Sequence, residues 1–490
     1  MDYHFDSVLV ANRGEIAARI LRSVKAAGLR ALLVTHPIDG QTPAMDLADD
    51  VRMLEGATPV AAFLDGDQII AAAKAMGAGA IHPGYGFLSE NAGFSRAVEA
   101  AAIVWVGPKP ETIDLMGDKI SARRFVEERG FPVAPSVIEE DDPDNFAANA
   151  RAVGAPLLIK PSAGGGGKGM RIVRDLATLE EEIATARSEG ERYFGDGRLF
   201  IERYVENPRH IEVQVLGDGQ GGAIHLFERE CSLQRRFQKI VEEAPSPALD
   251  EVERQNICEA AAGIARACDY RGAGTVEFIY GGGEFFFLEM NTRLQVEHPV
   301  TEMITGIDLV EQQLAIASGA PLPVAQDALT RSGHAIEARI YAEDPANGFS
   351  PTTGPVLRLA PPEGARFDAG LLEGERVHSA FDPMIAKLIV HAADRPAALA
   401  AMDAALAKLI LLGLTTNIGY LRRLLADPDV AAGRMHTGLI AEKADLAAEP
   451  PPDAETSEAL AALVALLIPD VGTGLEAVPA MQAAMGRWRN

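Results

Sequence analysis

Basic charge is what this sequence is short of. Across 490 residues, 45 Lys and Arg face 70 Asp and Glu, a formal charge of −25 at pH 7. So acidic a chain repels a phosphate backbone unless a local groove overrides it, which argues against nucleic acid as a partner. Cysteine is scarce too. Cys231, Cys258 and Cys268 make an odd number with no C-x-x-C pair, arguing against a disulfide framework or a cysteine zinc site. No segment approaches the ~18 apolar residues of a membrane helix. The opening MDYHFDSVLVANRG has acids where a secretory signal needs positive charge. No membrane association and a cytoplasmic or otherwise intracellular location are therefore expected. At 48% hydrophobic and 23% charged residues, the composition is that of an ordinary globular protein with room for roughly three domains.

Two nucleotide signatures are also missing. The turn after the first apolar run, Asn12-Arg13-Gly14-Glu15, has one glycine and not the three of a dinucleotide fingerprint. The stretch KPSAGGGGKGM at 160–170 fails as a Walker A loop, because Ser162 and Gly169 stand where a glycine and a Ser or Thr are needed. What surrounds that stretch is informative. Apolar Pro156–Ile159 runs in and Met170–Val173 runs out, so Gly164–Gly167 is expected to join two strands. Glycines let backbone N–H groups approach an anion, so the turn reads either as a phosphate cradle or as a plain surface turn.

Along the chain, strand and helix signals alternate at Val8–Ala11, Glu15–Ala27, Ala31–Val34, Ala80–Ile81 and Ile103–Val106. This predicts a helix-covered parallel sheet over residues 1–115. From Met116 a helix through Val126 is followed by pairs of strands and further helices, an α+β region over 116–332. From Gly333 a strand-rich region leads to a helix over Pro396–Leu409, giving a third division at 333–446. Residues 447–490 read as a Pro-rich linker and a helix from Glu458 to Ile468, capped by Ser457 and apolar nearly all round, which needs a packing partner.

The segment TVEFIYGGGEFFFLEMNTRLQVEHP, residues 275–299, carries the chemistry. A three-residue loop at Gly281–Gly283 would set Glu277 opposite Phe287 and make Glu289 its diagonal neighbour on the same face, ~7–8 Å away. With Asn291 continuing that face, the donors are all oxygen, suited to Mg²⁺ or Mn²⁺ and a nucleotide's phosphates. A two-residue loop would put the glutamates on opposite faces. Arg293, Gln295 and Glu297 alternate beyond the hairpin, and Glu337-Ala338-Arg339 follows, as anion site or as structural ion pairs. Gln234–Lys239 packs three cations into an acidic chain, as a small-anion site or an exposed turn. Cys231 beside it reads as a packed core thiol. His210 reads as a nucleotide contact or a strand cap.

Together these stretches resemble the biotin carboxylase component of biotin-dependent carboxylases, an ATP-grasp enzyme of the acyl-CoA carboxylase α-subunit type. The resemblance runs through VLVANRGEIAARIL near the start, HPGYGFLSEN (82–91), MGDK (116–119), KPSAGGGGKGM, ERYVENPRHIEVQV (202–215), ERECSLQRRFQKIVEEAP (228–245), EFFFLEMNTRLQVEHPVTE (284–302) and DPMIAKLIV (382–390). It covers about residues 5–445 in family order.

The resemblance implies an N-terminal parallel-sheet domain, an ATP-grasp domain with a glycine-rich lid at about 132–203, and a C-terminal biotin carboxylase domain. It implies that ATP activates bicarbonate as carboxyphosphate, which delivers CO₂ to biotin. Lys119, Lys160 and Gly165, Gly166 and Gly167 would hold the ATP phosphates, and Glu202, Val205, His210 and Gln234 the rest of the nucleotide. Glu277, Glu289 and Asn291 would hold the metal. Lys239, Arg293, Gln295 and Val296 would bind bicarbonate, Glu297 would be its general base, and Arg339 would stabilise deprotonated biotin. Phe237 stands where many members carry His or Asn. No Met-Lys-Met biotinylation sequence is present, so biotin is expected on a carrier domain or protein, beside a carboxyltransferase subunit and in a homodimer or larger complex. The ending Gly486–Asn490 looks like the join to a further domain. Two alternatives stay open: another ATP-grasp ligase making an acyl phosphate, and a non-catalytic ATP-binding relative.

Overall fold

The computed structural model describes residues 3–161, 169–451, 454–455 and 457–459. Residues Met1–Ala447 form one compact unit.

The N-terminal expectation holds. Strands β1 (Ser7–Val10), β2 (Arg30–Thr35), β3 (Asp50–Met53), β4 (Ala80–His82) and β5 (Val104–Trp105) form a five-stranded parallel sheet in the order β3-β2-β1-β4-β5. β1 is buried on both faces because helices cover both, which is why Val8-Leu9-Val10 reads as a continuous apolar run. Helix Gly14–Ala26 packs its apolar stripe on that sheet, and its first turn brings Glu15 in as a buried carboxylate.

The helix expected from Met116 to Val126 is two helices, Pro110–Gly117 and Lys119–Glu128. Asp118 breaks them by capping the second, its Oδ1 accepting the Ser121 N–H at 2.7 Å. Lys119 thus becomes the first residue of a helix pointed at the central cavity.

A small lobe follows. Strands β6 (Ser136–Ile138), β7 (Leu157–Pro161), β8 (Arg171–Val173) and β9 (Leu199–Arg203) form an antiparallel sheet ordered β6-β9-β7-β8. Leu157 and Ile159 alternate inward and pack with Ile183, Ala186 and Ile201 in a core of the lobe's own. The two strands expected around the glycines are β7 and β8, paired antiparallel. Gly164–Gly167 themselves lie outside the described residues.

The remaining long strands are β10 (Arg209–Asp218), β11 (Ala223–Arg235), β12 (Gln238–Ala244), β13 (Arg271–Gly281), β14 (Glu284–Asn291), β15 (His334–Tyr341), β16 (Arg366–Ala369) and β17 (Met384–Ala392). They make one antiparallel sheet ordered β14-β13-β10-β11-β12-β15-β17-β16. The division expected at residue 333 is therefore bridged by hydrogen bonds between β12 and β15. Helix Glu251–Ala267 covers one end of the sheet and helix Arg395–Lys408 the other. Asp394 caps the latter, leaving Pro396 in its first turn where no N–H partner is needed.

Within 448–490 the helical residues described are 454–455 and 457–459, so Ser457, expected as a cap ahead of the helix, is itself helical. The rest of the expected helix, from residue 460, lies outside the described residues.

Candidate functional site

The hairpin differs from the expected one. Its loop is two residues, Gly282-Gly283, both with positive φ (62° and 79°), as the tight turn favoured by right-twisted strands requires. Gly281 pairs with Glu284 and Phe278 with Phe287, so a regular ladder would put Leu288 opposite Glu277. A β-bulge intervenes between Glu277 and Phe278 and sets Glu277 directly opposite Glu289, with Thr275 opposite Asn291. The shared carboxylate face is real, but the bulge creates it and not the loop.

Glu277 is buried and oversubscribed. Its Oε1 accepts from Asn291 Nδ2 at 2.9 Å, Gln295 Nε2 at 2.7 Å and Lys239 Nζ at 2.9 Å. His210 Nε2 stands 3.0 Å from Oε2. Burial raises its proton affinity, but Lys239 and His210 outweigh that and hold it well below the usual carboxylate range. Glu289 is shifted the other way, upward, by burial and by the Glu277 charge. The nearest cation paired with it is Lys119, at 4.0 Å. Two facing carboxylates, one of them repelled by the other, fit a hard divalent cation taking oxygen ligands, with Asn291 Oδ1 beside them in contact with Arg293 Nη2 at 2.9 Å. His210, Glu212 and Glu277 also offer ligand atoms within 4.8 Å of one another. There, however, the Lys239 ammonium already supplies the positive charge.

Lys239 is the hub. Its Nζ donates to Glu212 Oε2 at 2.6 Å, Glu277 Oε1 at 2.9 Å and Glu297 Oε1 at 2.5 Å. Burial lowers its pKa, yet the three carboxylates prevail and drive it well above the ordinary lysine value. Glu297 Oε2 accepts from Arg339 Nη2 at 2.9 Å. Burial and Glu212 push Glu297 up, and Lys239, Arg339 and Arg229 bring it net below the usual range. For His210, burial favours the neutral ring, but Glu277 raises its pKa to about 9.

Around this hub the remaining expected residues converge. Lys160 is ion-paired to Glu202 Oε1, whose other oxygen lies 3.6 Å from Arg123. Arg293 Nε donates to Glu90 Oε2 at 2.8 Å. Gln234 Nε2 donates to the Cys231 carbonyl at 2.8 Å. With Val205 and Val296, every expected site residue apart from Gly165, Gly166 and Gly167 lines one cavity of about 1340 Å³. Phe237 lines it too, 60% exposed at the β11–β12 turn, where Arg236 and Phe237 are both left-handed (φ 52° and 66°). Cys231 is a buried thiol, its pKa raised far above normal by burial and then by Glu212, as a packed core residue would be.

Sequence reasoning missed the second layer. Fully buried Arg229 donates to Glu212 (2.5 Å), Gln214 (2.8 Å), Thr301 (2.9 Å), Thr275 (3.1 Å) and Gln295 (2.9 Å). Glu242 lies 2.6 Å from Arg339 Nε and pairs across the sheet with Glu337. Burial raises Glu242 to about 7 and Glu337 well above the usual range. The available signal was alternation: Glu212 and Gln214 are polar every second residue in an otherwise apolar strand, so their face holds a buried polar network or open solvent.

Against known proteins, residues 4–113 match the biotin carboxylase N-terminal domain, 118–325 the ATP-binding domain of the carbamoyl-phosphate synthase L chain, and 337–442 the biotin carboxylase C-terminal domain. Biotin carboxylase of Allochromatium vinosum is 45% identical over 437 residues, covering 88% of this chain and 97% of that one. The mitochondrial methylcrotonoyl-CoA carboxylase subunit alpha of Mus musculus is 45% identical over 438 residues, and the chain spans 61% of its length. Among solved structures, the biotin carboxylase domain dimer of Hydrogenobacter thermophilus 2-oxoglutarate carboxylase, in complex with MgADP, ADP and bicarbonate, superposes with a TM-score of 0.85 at 40% identity. That match covers 92% of this chain and 100% of the other. The matched ATP-binding domain and the biotin carboxylase domains on either side of it span most of the chain. The chain belongs to the biotin carboxylase family. No described helix is long and apolar enough to cross a membrane.

Proposed function

We propose that the cavity uses ATP and bicarbonate to carboxylate biotin on a carrier domain or protein, as the first half-reaction of an acyl-CoA carboxylase. The observation that carries this reading is the convergence of Lys239 and Arg339 on the two oxygens of Glu297, beside the facing pair Glu277 and Glu289. A general base within hydrogen-bond reach of bicarbonate and cations for the charge that develops are what this chemistry needs.

Held by Lys239 and Arg339, Glu297 is a weak base, because the two cations stabilise its ionised form. Bicarbonate bound by Lys239, Arg293, Gln295 and Val296 would draw Lys239 away from that carboxylate, and the biotin ureido oxygen would draw Arg339. Each withdrawal raises the proton affinity of Glu297, so its basicity grows as the substrates assemble. Glu297 then takes the bicarbonate proton, and the bicarbonate oxygen is free to attack the γ-phosphorus with ADP leaving. The carboxyphosphate so formed splits its C–O bond into CO₂ and phosphate, the phosphate takes the ureido N–H proton, and the ureido nitrogen then attacks CO₂ while Arg339 holds the charge on the ureido oxygen. Glu277, Glu289 and Asn291 would hold a divalent cation, which would supply positive charge during phosphoryl transfer. Lys119 and Lys160 hold the phosphates, and Glu202, Val205, His210 and Gln234 hold the nucleoside.

The division at about 115, 332 and 446, with a lid at 132–203, belongs to the same proposal. So do a biotin carrier and a carboxyltransferase as partners, and assembly as a homodimer or part of a larger complex. In its favour, the relatives include carboxylase α subunits and a domain dimer. The test is ADP release by the purified chain with MgATP, with and without bicarbonate and free biotin. Release that depends on bicarbonate, rises with biotin and vanishes in Glu297→Ala supports the reading; release indifferent to bicarbonate overturns it.

A further inference from the structure

Lys387, on β17, has no part in the reading above, yet its side chain is wholly enclosed. An ammonium stays buried only where its donors are taken up. Its Nζ donates to the Val296 carbonyl at 2.7 Å and lies 3.2 Å from Glu15 Oε2. Glu15 comes from the N-terminal helix Gly14–Ala26, and its Oε1 takes the Tyr85 hydroxyl. Lys387 pairs directly with Arg339 on one side and Asp368 on the other, and Glu337 shares their face one pair along. It is therefore the cation at which the N-terminal segment, the large sheet and the 292–297 loop meet.

The contact with Val296 matters because of peptide geometry. A trans peptide is planar, with its C=O and the following N–H pointing opposite ways. The Gln295 carbonyl is held by His298, whose Nδ1 is 2.7 Å away and whose backbone N–H is 3.4 Å away. That fixes the plane carrying the Val296 N–H. Lys387 fixes the next plane, which runs from the Val296 carbonyl to the Glu297 N–H. Two consecutive planes anchored from behind leave Val296 and the Glu297 side chain facing the cavity.

We propose that Lys387, braced by Glu15, is a positioning residue for bicarbonate: it sets the Val296–Glu297 peptide, and with it the bicarbonate subsite and the direction of the base. This rests on the proposed reading of the cavity. A purely structural ion pair predicts something else, a less stable protein whose surviving molecules keep normal Michaelis constants.

The experiment is steady-state ATP turnover in bicarbonate-depleted buffer, with bicarbonate titrated back at saturating MgATP and biotin, and MgATP titrated at saturating bicarbonate. Lys387→Met should raise KM for bicarbonate about tenfold or more while KM for ATP stays within about twofold, because an ångström of misplacement falls on one substrate only. Glu15→Gln should shift it the same way by a smaller factor. A folded Lys387→Met with KM for bicarbonate within about twofold of wild type overturns the proposal. So does a parallel rise in both constants. If Lys387→Met does not fold by circular dichroism and gel filtration, Lys387→Arg decides by the same split, since a guanidinium keeps the charge but not the point contact. Wild-type turnover that ignores bicarbonate sinks the parent reading, and this inference with it, whereas bicarbonate-dependent wild-type turnover with no split in the variants sinks this inference alone.

Discussion

Glu277 and Glu289 face each other across the β13–β14 hairpin because a bulge offsets a ladder that would otherwise set Leu288 opposite Glu277. Burial raises the proton affinity of Glu289, and the charge of Glu277, kept ionised by Lys239 and His210, raises it further. Glu289→Gln should therefore remove a cation ligand without disturbing the hairpin. The apparent Mg²⁺ requirement for ATP turnover should rise at least ~100-fold, measured by titrating Mg²⁺ at fixed ATP, with the melting temperature unchanged or higher.

Glu297 is held by Lys239 at 2.5 Å and by Arg339 at 2.9 Å. Glu297→Gln keeps its shape and loses its basicity. Bicarbonate-dependent turnover should drop by ~10²–10⁴-fold, while nucleotide affinity, followed by fluorescence titration, stays near wild type. Nucleotide affinity lost in parallel would point to collapse of the Lys239 hub instead.

Glu242 binds its proton up to about pH 7 in the folded protein against 4.5 for an ordinary glutamate, because it is buried and Arg339 only partly offsets that. A folded-state pKa raised in this way gives stability that is complete below pH 4.5 and lost as the pH climbs through about 7. Glu242→Gln mimics the protonated form. Its melting temperature should match wild type near pH 4.5, pull ahead between pH 4.5 and 7, and keep a constant lead above that. A gap independent of pH would show that Glu242 does not titrate in this window.

Arg229 has no exposure and neutralises Glu212. Arg229→Met should destabilise the protein by roughly 3–5 kcal/mol in urea unfolding, since it leaves a buried carboxylate short of a partner. Adding Glu212→Gln should restore part of that loss. Two additive losses would mean that the pair is not coupled.

Much of this was legible in one dimension. Val8–Val10 and Ala31–Val34 announce buried parallel strands by apolar continuity. The β7–glycine–β8 element shows in the apolar runs on either side of Gly164–Gly167. Pro396 reads correctly as a first-turn residue of its helix. Chemistry-bearing residues were legible where types cluster within one segment, as in Arg293, Gln295 and Glu297, or where they continue a family motif, as in Lys119 and Lys160.

The sequence alone thus determined the family, the order of the segments and the residue types of the site, because these rest on local pattern and spacing. Only the tertiary structure decided the register that pairs Glu277 with Glu289, since a bulge is one residue of local geometry with no signature among Phe285–Leu288. It alone joined the regions before and after residue 333 in one sheet, through the pairing of β12 with β15. It alone brought Glu15, Lys387 and Val296 together from three distant segments. Proton affinities came last and for the same reason: whether Glu242 is raised and Glu297 lowered depends on which charges burial places within a few ångströms of each.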